Sequence, residues 1–204
     1  DNIKPIPWRN IDNIAPAGSI NSNVTDMAQW VRMQLAMGKY DGKQIISEAN
    51  IKNMWASHTI IPLEGPGFPM FYPKAHFLNY GLGWFLSDFN GKKMVEHGGA
   101  IDGMRSAVAM IPEEKLGVVI LSNMNQTGLN LAIAQRIFDA YMGGKERDYS
   151  GDLLKVIKAQ EAAGKAAQDK MAAERAKDTK PSFDLAKYAG DYQDEMYGDV
   201  KVWL

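Results

Sequence analysis

Apolar and polar positions along this chain fall into several rhythms, and each predicts an element. TDMAQWVRMQLAMG, residues 25–38, repeats at helical spacing. Met27, Trp30, Val31 and Leu35 share a face, Thr25 is the expected N-cap, Asp26 suits the first turn and Gly38 is the stop. SEANIKNMWASH, residues 47–58, repeats the pattern, with Ser47 as cap and Ile51, Met54 and Trp55 on one side. GLNLAIAQRIFDAYMGG, residues 128–144, predicts a third helix with Leu129, Ala132, Ile133, Ile137, Ala140 and Tyr141 as its stripe, ended by Gly143 and Gly144.

Between the second and third helices the rhythm changes. YGLGWFLSDF, KKMVEHG, MRSAVAMIP and LGVVILSN, between residues 80 and 123, read as strands. Asn90-Gly91 is a hairpin signal, and Pro112 to Lys115 makes the last turn. Short connections imply an antiparallel meander. The last two runs are apolar at nearly every position, so both of their faces are expected to be covered. The third helix then lies on one face and the first two on the other.

The remaining segments lack such periodicity. Residues 1–20 hold Pro5, Pro7 and Pro16 and read as an extended entry segment. Residues 59–79 read as a loop rich in proline and glycine, loaded with Phe68, Met70, Phe71, Tyr72 and Phe77. It is either a flap packed on the body or a wall of a cleft. Residues 150–180 are rich in alanine and charge and read as an exposed helical linker, with Glu161–Lys165 and Lys170–Glu174 pairs along it. After Pro181, FDLAKYAGDYQDEMYGDVKVWL looks like the opening of a β-rich unit. The expected divisions are 1–147, 148–180 and 181–204. The expected fold class is α+β, an antiparallel sheet flanked by helices, then a helical linker and a truncated β segment.

Composition narrows the function classes. The 204 residues are 46% hydrophobic and 23% charged, as in a folded globular chain. A net charge of −1 gives no basic field for nucleic acid. No apolar run approaches the roughly 18 residues of a membrane span. The absence of cysteine removes disulfides, thiolate zinc sites and a cysteine nucleophile. Among His58, His76 and His97 the spacing matches no compact metal motif, so no metal and no cofactor are expected.

The chemistry concentrates in EHGGAIDGMRSAV, residues 96–108. His97 precedes Gly98 and Gly99, two residues that cost backbone entropy and suit sites where another group must come close. The stretch is either a tight turn with a bystander histidine or one wall of an active site. Asp102 and Gly103 shape the following turn. Arg105 is expected to face outward or pair with an acid, with a substrate-carboxylate role as the sharper reading. Tyr80 and Trp84 read as packing residues, Tyr80 with a second reading as a cleft residue.

The order of helix, helix, aromatic loop, YGLGW, VEHGGAIDG, AMIPEEKLGVVILSN and helix resembles the serine β-lactamase-like hydrolases. These include class C β-lactamases, penicillin-binding peptidases, D-amino-acid peptidases and esterases. The resemblance covers residues 15–142 and implies an acyl-enzyme mechanism on a small acyl, peptide, ester or β-lactam-type substrate. It places His97-Gly98-Gly99 at the family's third motif and makes the N–H of Ala100 one oxyanion-hole donor; Gly98, Gly99, Tyr80 and Arg105 are the candidate substrate-binding residues. Histidine at the first place of that motif, where lysine is usual, leaves esterase or peptidase action open. The family's S-x-x-K motif has no counterpart in the chain. The resemblance therefore implies that nucleophile and lysine belong to a preceding part of the same protein, a partner without which no serine acylation is expected. It also implies a periplasmic or secreted location. The alternative reading is a non-catalytic, penicillin-binding-like protein.

Overall fold

The computed structural model describes residues 4–64, 71–124 and 128–204. Its chain divides into two compact units, residues 1–158 and 159–204.

The first unit is built on a six-stranded antiparallel meander, in the order β3(Thr59–Ile61), β4(Leu78–Tyr80), β5(Phe85–Phe89), β6(Lys92–Ile101), β7(Met104–Ile111) and β8(Leu116–Ser122). A short hairpin, β1(Lys39–Tyr40) and β2(Lys43–Gln44), lies outside this sheet. Asn90-Gly91 closes β5 to β6, with both residues at positive φ, 51° and 75°, the pair of conformations a two-residue type I′ turn requires. Asp102 (φ 42°) and Gly103 (φ 83°) close β6 to β7 in the same way. Pro112–Glu114 forms a 3-10 turn ending on Lys115 at φ 51° before β8.

Two expectations about the strands are corrected. The loop-like region 59–79 begins and ends in strand, because β3 pairs β4 through Thr59↔Tyr80, Ile60↔Asn79 and Ile61↔Leu78. Phe68 and Met70 lie outside the described residues. The run YGLGWFLSDF is two strands, since the chain turns at Gly81–Trp84 between β4 and β5.

Helices cover both faces of the sheet. A single helical turn, α1(Ala15–Gly18), precedes α2(Val24–Leu35) and α3(Glu48–Met54). On their side Val31, Ile51, Trp55, Trp84, Leu86, Val95, Val108 and Met110 form a buried cluster. On the other side α4(Leu129–Tyr141) and the start of α5(Tyr149–Glu174) pack Ala132, Ala134, Phe138, Tyr149 and Leu153 onto Phe89, Met94, Ala109 and Ile111. Strand alternation sends Met94 to one cluster and Val95 to the other, as expected for a sheet covered twice. Burial of each large side chain contributes about 1.5–3 kcal/mol. Gly117 lets α2 approach β8. A Cβ there lies 2.3 Å from Val31 Cγ1, too close for any side chain.

The helix ends differ in detail from the sequence reading. Asn23, not Thr25, caps α2, its Oδ1 accepting the Asp26 N–H at 3.0 Å. Ser47 caps α3 through the Asn50 N–H at 3.2 Å. The stripe expected on α4 is rotated. Tyr141 is 75% exposed, whereas Asn130, Gln135 and Asp139 are buried with Phe138. Polar partners explain the rotation. Asn130 bonds the carbonyls of Arg105 and Ile120, Gln135 that of Phe71, and Asp139 accepts from Lys74, Asn90 and Tyr149. A helix face that satisfies buried polar groups need not be the most apolar one.

In the second unit the end of α5 carries Lys165–Asp169 and Lys170–Glu174 pairs. A hairpin follows, β9(Gly190–Asp194) with β10(Gly198–Val202). Tyr192, Val200 and Val202 share one face by register, and Asp191, Gln193, Asp199 and Lys201 share the other.

Candidate active site

The segment EHGG is not a turn. His97, Gly98, Gly99 and Ala100 continue β6 as far as Ile101 and pair with Val108, Ala107, Ser106 and Arg105 of β7. The turn lies four residues further on than the two glycines suggest, at Asp102-Gly103. Two-residue turns impose this register, because the residues flanking them form a hydrogen-bonded pair.

On its other side β6 is open at this point. Pairing with β5 ends at Phe85↔Glu96. Among the described residues, 97–101 therefore have a sheet neighbour on one side only, and Gly98, Gly99 and Ala100 are exposed. Antiparallel ladders alternate the direction of their backbone groups. Ile101 and Met104 close the hairpin, so the N–H and C=O of Ala100 and of Gly98 turn away from β7 toward the open edge.

The His97 ring sits against this edge. Its Nδ1 lies 2.6 Å from the Gly98 carbonyl oxygen and its Nε2 3.1 Å from the Tyr80 hydroxyl. A carbonyl only accepts, so in the neutral ring Nδ1 carries the proton and Nε2 accepts from Tyr80. Phe85 stacks on the imidazole at 5.5 Å between centroids, and Tyr80 packs edge-on to Phe85 at 4.8 Å. The imidazole is thus fixed on three sides, and Tyr80 serves both packing and the site.

The two glycines also sit close to Ser106 of β7. A Cβ on Gly99 lies 2.6 Å from Ser106 Oγ, and one on Gly98 lies 3.0 Å from the Ser106 carbonyl oxygen.

A cavity of about 690 Å³ lies beside the strand on the α4 side, bounded by Gly98–Ala100, Phe71, Tyr72, Leu78, Phe85, Glu96 and Arg105. Glu96, absent from the sequence-based candidates, is its most unusual group. It is 8% exposed, and Tyr72 donates a 2.5 Å hydrogen bond to Oε1. Burial pushes the Glu96 carboxyl up to about 7, against the opposing pull of the Tyr72 hydrogen bond. Burial and the adjacent carboxylate push the Tyr72 phenol up as well. The strand alternation carried a signal for Glu96, since Val95 and Glu96 must face opposite sides of a sheet covered twice.

Arg105 differs from expectation. It makes no ion pair among the described residues, and its Nε is buried without a hydrogen-bond partner. Asp102, the nearest acid in sequence, pairs instead with Arg9 at 2.8 Å. The three histidines are held apart by separate partners. His58 Nε2 meets the Asn53 carbonyl at 2.9 Å, and His76 Nδ1 meets Asp88 at 2.6 Å. Among the described residues no group of three or more histidine or carboxylate side chains is placed to hold a metal, and no helix is long and apolar enough to cross a membrane.

Fold and open-edged strand define a class, and the comparisons agree with it. The beta-lactamase family model matches residues 1–142, and the chain belongs to that family. The unguisins hydrolase ungD′ of Aspergillus campestris is 25% identical over 207 residues, covering 98% of this chain and 36% of its own length. The unguisins hydrolase ungD of Aspergillus violaceofuscus is 31% identical over 131 residues, 60% of this chain and 22% of its own. Among solved structures, the octameric penicillin-binding protein homologue from Pyrococcus abyssi superposes with a TM-score of 0.50 at 26% identity, over 61% of this chain and 25% of that one. The chain thus spans about a third or less of the length of these relatives.

Proposed function

We propose that this chain supplies the strand wall of a serine acyl-enzyme hydrolase acting on a small acyl, peptide or ester substrate. The observation that carries this reading is the open edge of β6. Where the family's third motif falls, His97–Ala100 lack a β5 neighbour, and the Ala100 N–H points off the sheet. A substrate chain laid along that edge receives backbone hydrogen bonds as an added strand does. Its scissile carbonyl oxygen takes the Ala100 N–H as one oxyanion donor. Removing such a donor typically costs about 3–4 kcal/mol of transition-state stabilisation.

The remaining roles follow from the same wall. Gly98 and Gly99 let the substrate approach the backbone. His97, ordered by Tyr80 and Gly98, meets the hydroxyl relay through its Nε2–Tyr80 contact. Arg105, without an acidic partner among the described residues, is a cationic group at this wall. The nucleophile and its lysine belong to another part of the same protein, and the site is complete only when that part is docked. Relatives named as hydrolases support hydrolysis over ligand binding alone. Export to the periplasm or cell surface is part of the proposal.

The test is covalent labelling with a fluorophosphonate or penicillin probe, read by intact mass. The chain alone takes no adduct. Combined with the segment that bears S-x-x-K, the protein takes one, on that segment, and Ala100→Pro slows labelling by about 100-fold or more. An adduct on the chain alone, or none on the combined protein, overturns the reading.

A further inference from the structure

A second cavity lies at the end of the open β6 edge. It holds about 210 Å³ between the entry segment and the β6–β7 turn, and Ile6, Trp8, Ile11, Ile101 and Met104 border it. Ile6, Trp8 and Met104 are exposed, so three large apolar side chains stand around one hollow. The Arg9–Asp102 ion pair ties the entry segment to the turn. These are the two charged residues of the lining, and they neutralise each other.

Strand geometry relates this cavity to the larger one. Ala100 pairs with Arg105, and the next pair is Ile101 with Met104. Successive pairs of a ladder face opposite sides of the sheet. Ala100 and Arg105 line the larger cavity, Ile101 and Met104 the smaller, so the two lie on opposite faces at one end of the same strand. An added antiparallel strand whose carbonyl accepts the Ala100 N–H sets that residue opposite Ala100 and the residue before it opposite Ile101. The side chain of the preceding residue then falls on the Ile101 face, its Cβ about 4.5–5.5 Å from that of Ile101. An apolar cavity of about 150 Å³ holds a benzene-sized group, so this one has room for one side chain.

We propose that the smaller cavity is a subsite for an uncharged apolar side chain on the residue that precedes the scissile one. The substrate class is then a peptide that extends to at least that residue on the acyl side of the bond cleaved. As a substrate subsite it rests on the acyl-enzyme reading; as a binding site it rests on the strand edge alone.

The experiment is binding of blocked dipeptides, acetyl-X-alanine methylamide with X leucine, glycine or aspartate, to this chain, read by the Met104 methyl resonance in NMR titrations. The leucine peptide is expected to bind about tenfold more tightly than the glycine peptide, the effect of burying one apolar side chain. The aspartate peptide binds no better than the glycine one. Trp8→Ala and Arg9→Ala each reduce the leucine preference to about threefold or less and leave glycine-peptide binding within about twofold. Both side chains are exposed, so both variants retain the fold. Equal binding of the leucine and glycine peptides overturns the proposal. So does a leucine preference unchanged in both variants, or no Met104 shift with any peptide. With the segment that bears S-x-x-K present, the corresponding methyl esters separate the two readings. Acylation at equal kcat/KM for leucine and glycine esters overturns the subsite and leaves the hydrolase reading standing. No acylation, with the leucine preference in binding intact, counts against the hydrolase reading only.

Discussion

The Tyr80 hydroxyl and His97 Nε2 lie 3.1 Å apart, across a strand junction where β5 no longer accompanies β6. With Nδ1 held by the Gly98 carbonyl, this contact fixes the tautomer of the neutral ring. Nitrogen NMR of His97 is expected to show the proton on Nδ1. Tyr80→Phe leaves Nε2 without its donor and costs about 1 kcal/mol of stability. A ring protonated on Nε2 in the unmodified chain contradicts the arrangement.

Glu96 makes stability depend on pH with a definite sign. Its folded value of about 7 lies above the ordinary 4.5, because burial disfavours the charged form. The folded state therefore favours the protonated group. Its contribution is complete below about pH 4.5 and is lost as pH rises through 7, a change of about 3 kcal/mol. Denaturant melts between pH 4 and 8 measure it, and Glu96→Gln removes this part of the slope. A profile identical in that variant contradicts the assignment.

Asp139 acts in the opposite direction. Burial raises its carboxyl, but hydrogen bonds from Lys74, Tyr149 and Asn90 outweigh burial and hold it below the ordinary 3.8. Its contribution is present above that value and is lost as pH falls through the lower folded one. It also joins three segments, with Lys74 Nζ at 2.7 Å and stacked 4.7 Å over Phe89. Asp139→Asn strands Lys74 and is expected to destabilise by about 3 kcal/mol. Thermal or denaturant unfolding reads this directly, and a loss below about 1 kcal/mol contradicts it.

Gly99 and Gly98 separate two kinds of constraint. Gly99→Ala meets only the movable Ser106 Oγ, so Ser106→Ala is expected to recover most of its cost of about 1 kcal/mol. Gly98→Ala meets the Ser106 carbonyl, which no side-chain change removes. A double-mutant cycle by chemical unfolding distinguishes them. Equal rescue of both substitutions contradicts the close β6–β7 contact.

Much of the architecture is written in local pattern. The type I′ turn at Asn90-Gly91, the Ser47 cap, the doubly covered strands and the order of helices follow from residue chemistry within a few positions. The resemblance to the β-lactamase family was equally legible, because it rests on ordered short motifs. Tertiary structure decided what depends on residues distant in sequence. The face of α4 turned toward Asn130, Gln135 and Asp139 because Arg105, Phe71 and Lys74 supply their partners, and no periodicity encodes that. His97-Gly98-Gly99 became strand rather than turn because the Asp102-Gly103 hairpin fixed the register from beyond it. Glu96 became the buried carboxyl of a cavity only when Tyr72, 24 residues earlier, folded over it. Burial and long-range hydrogen bonding set these outcomes, and both are properties of the packed chain.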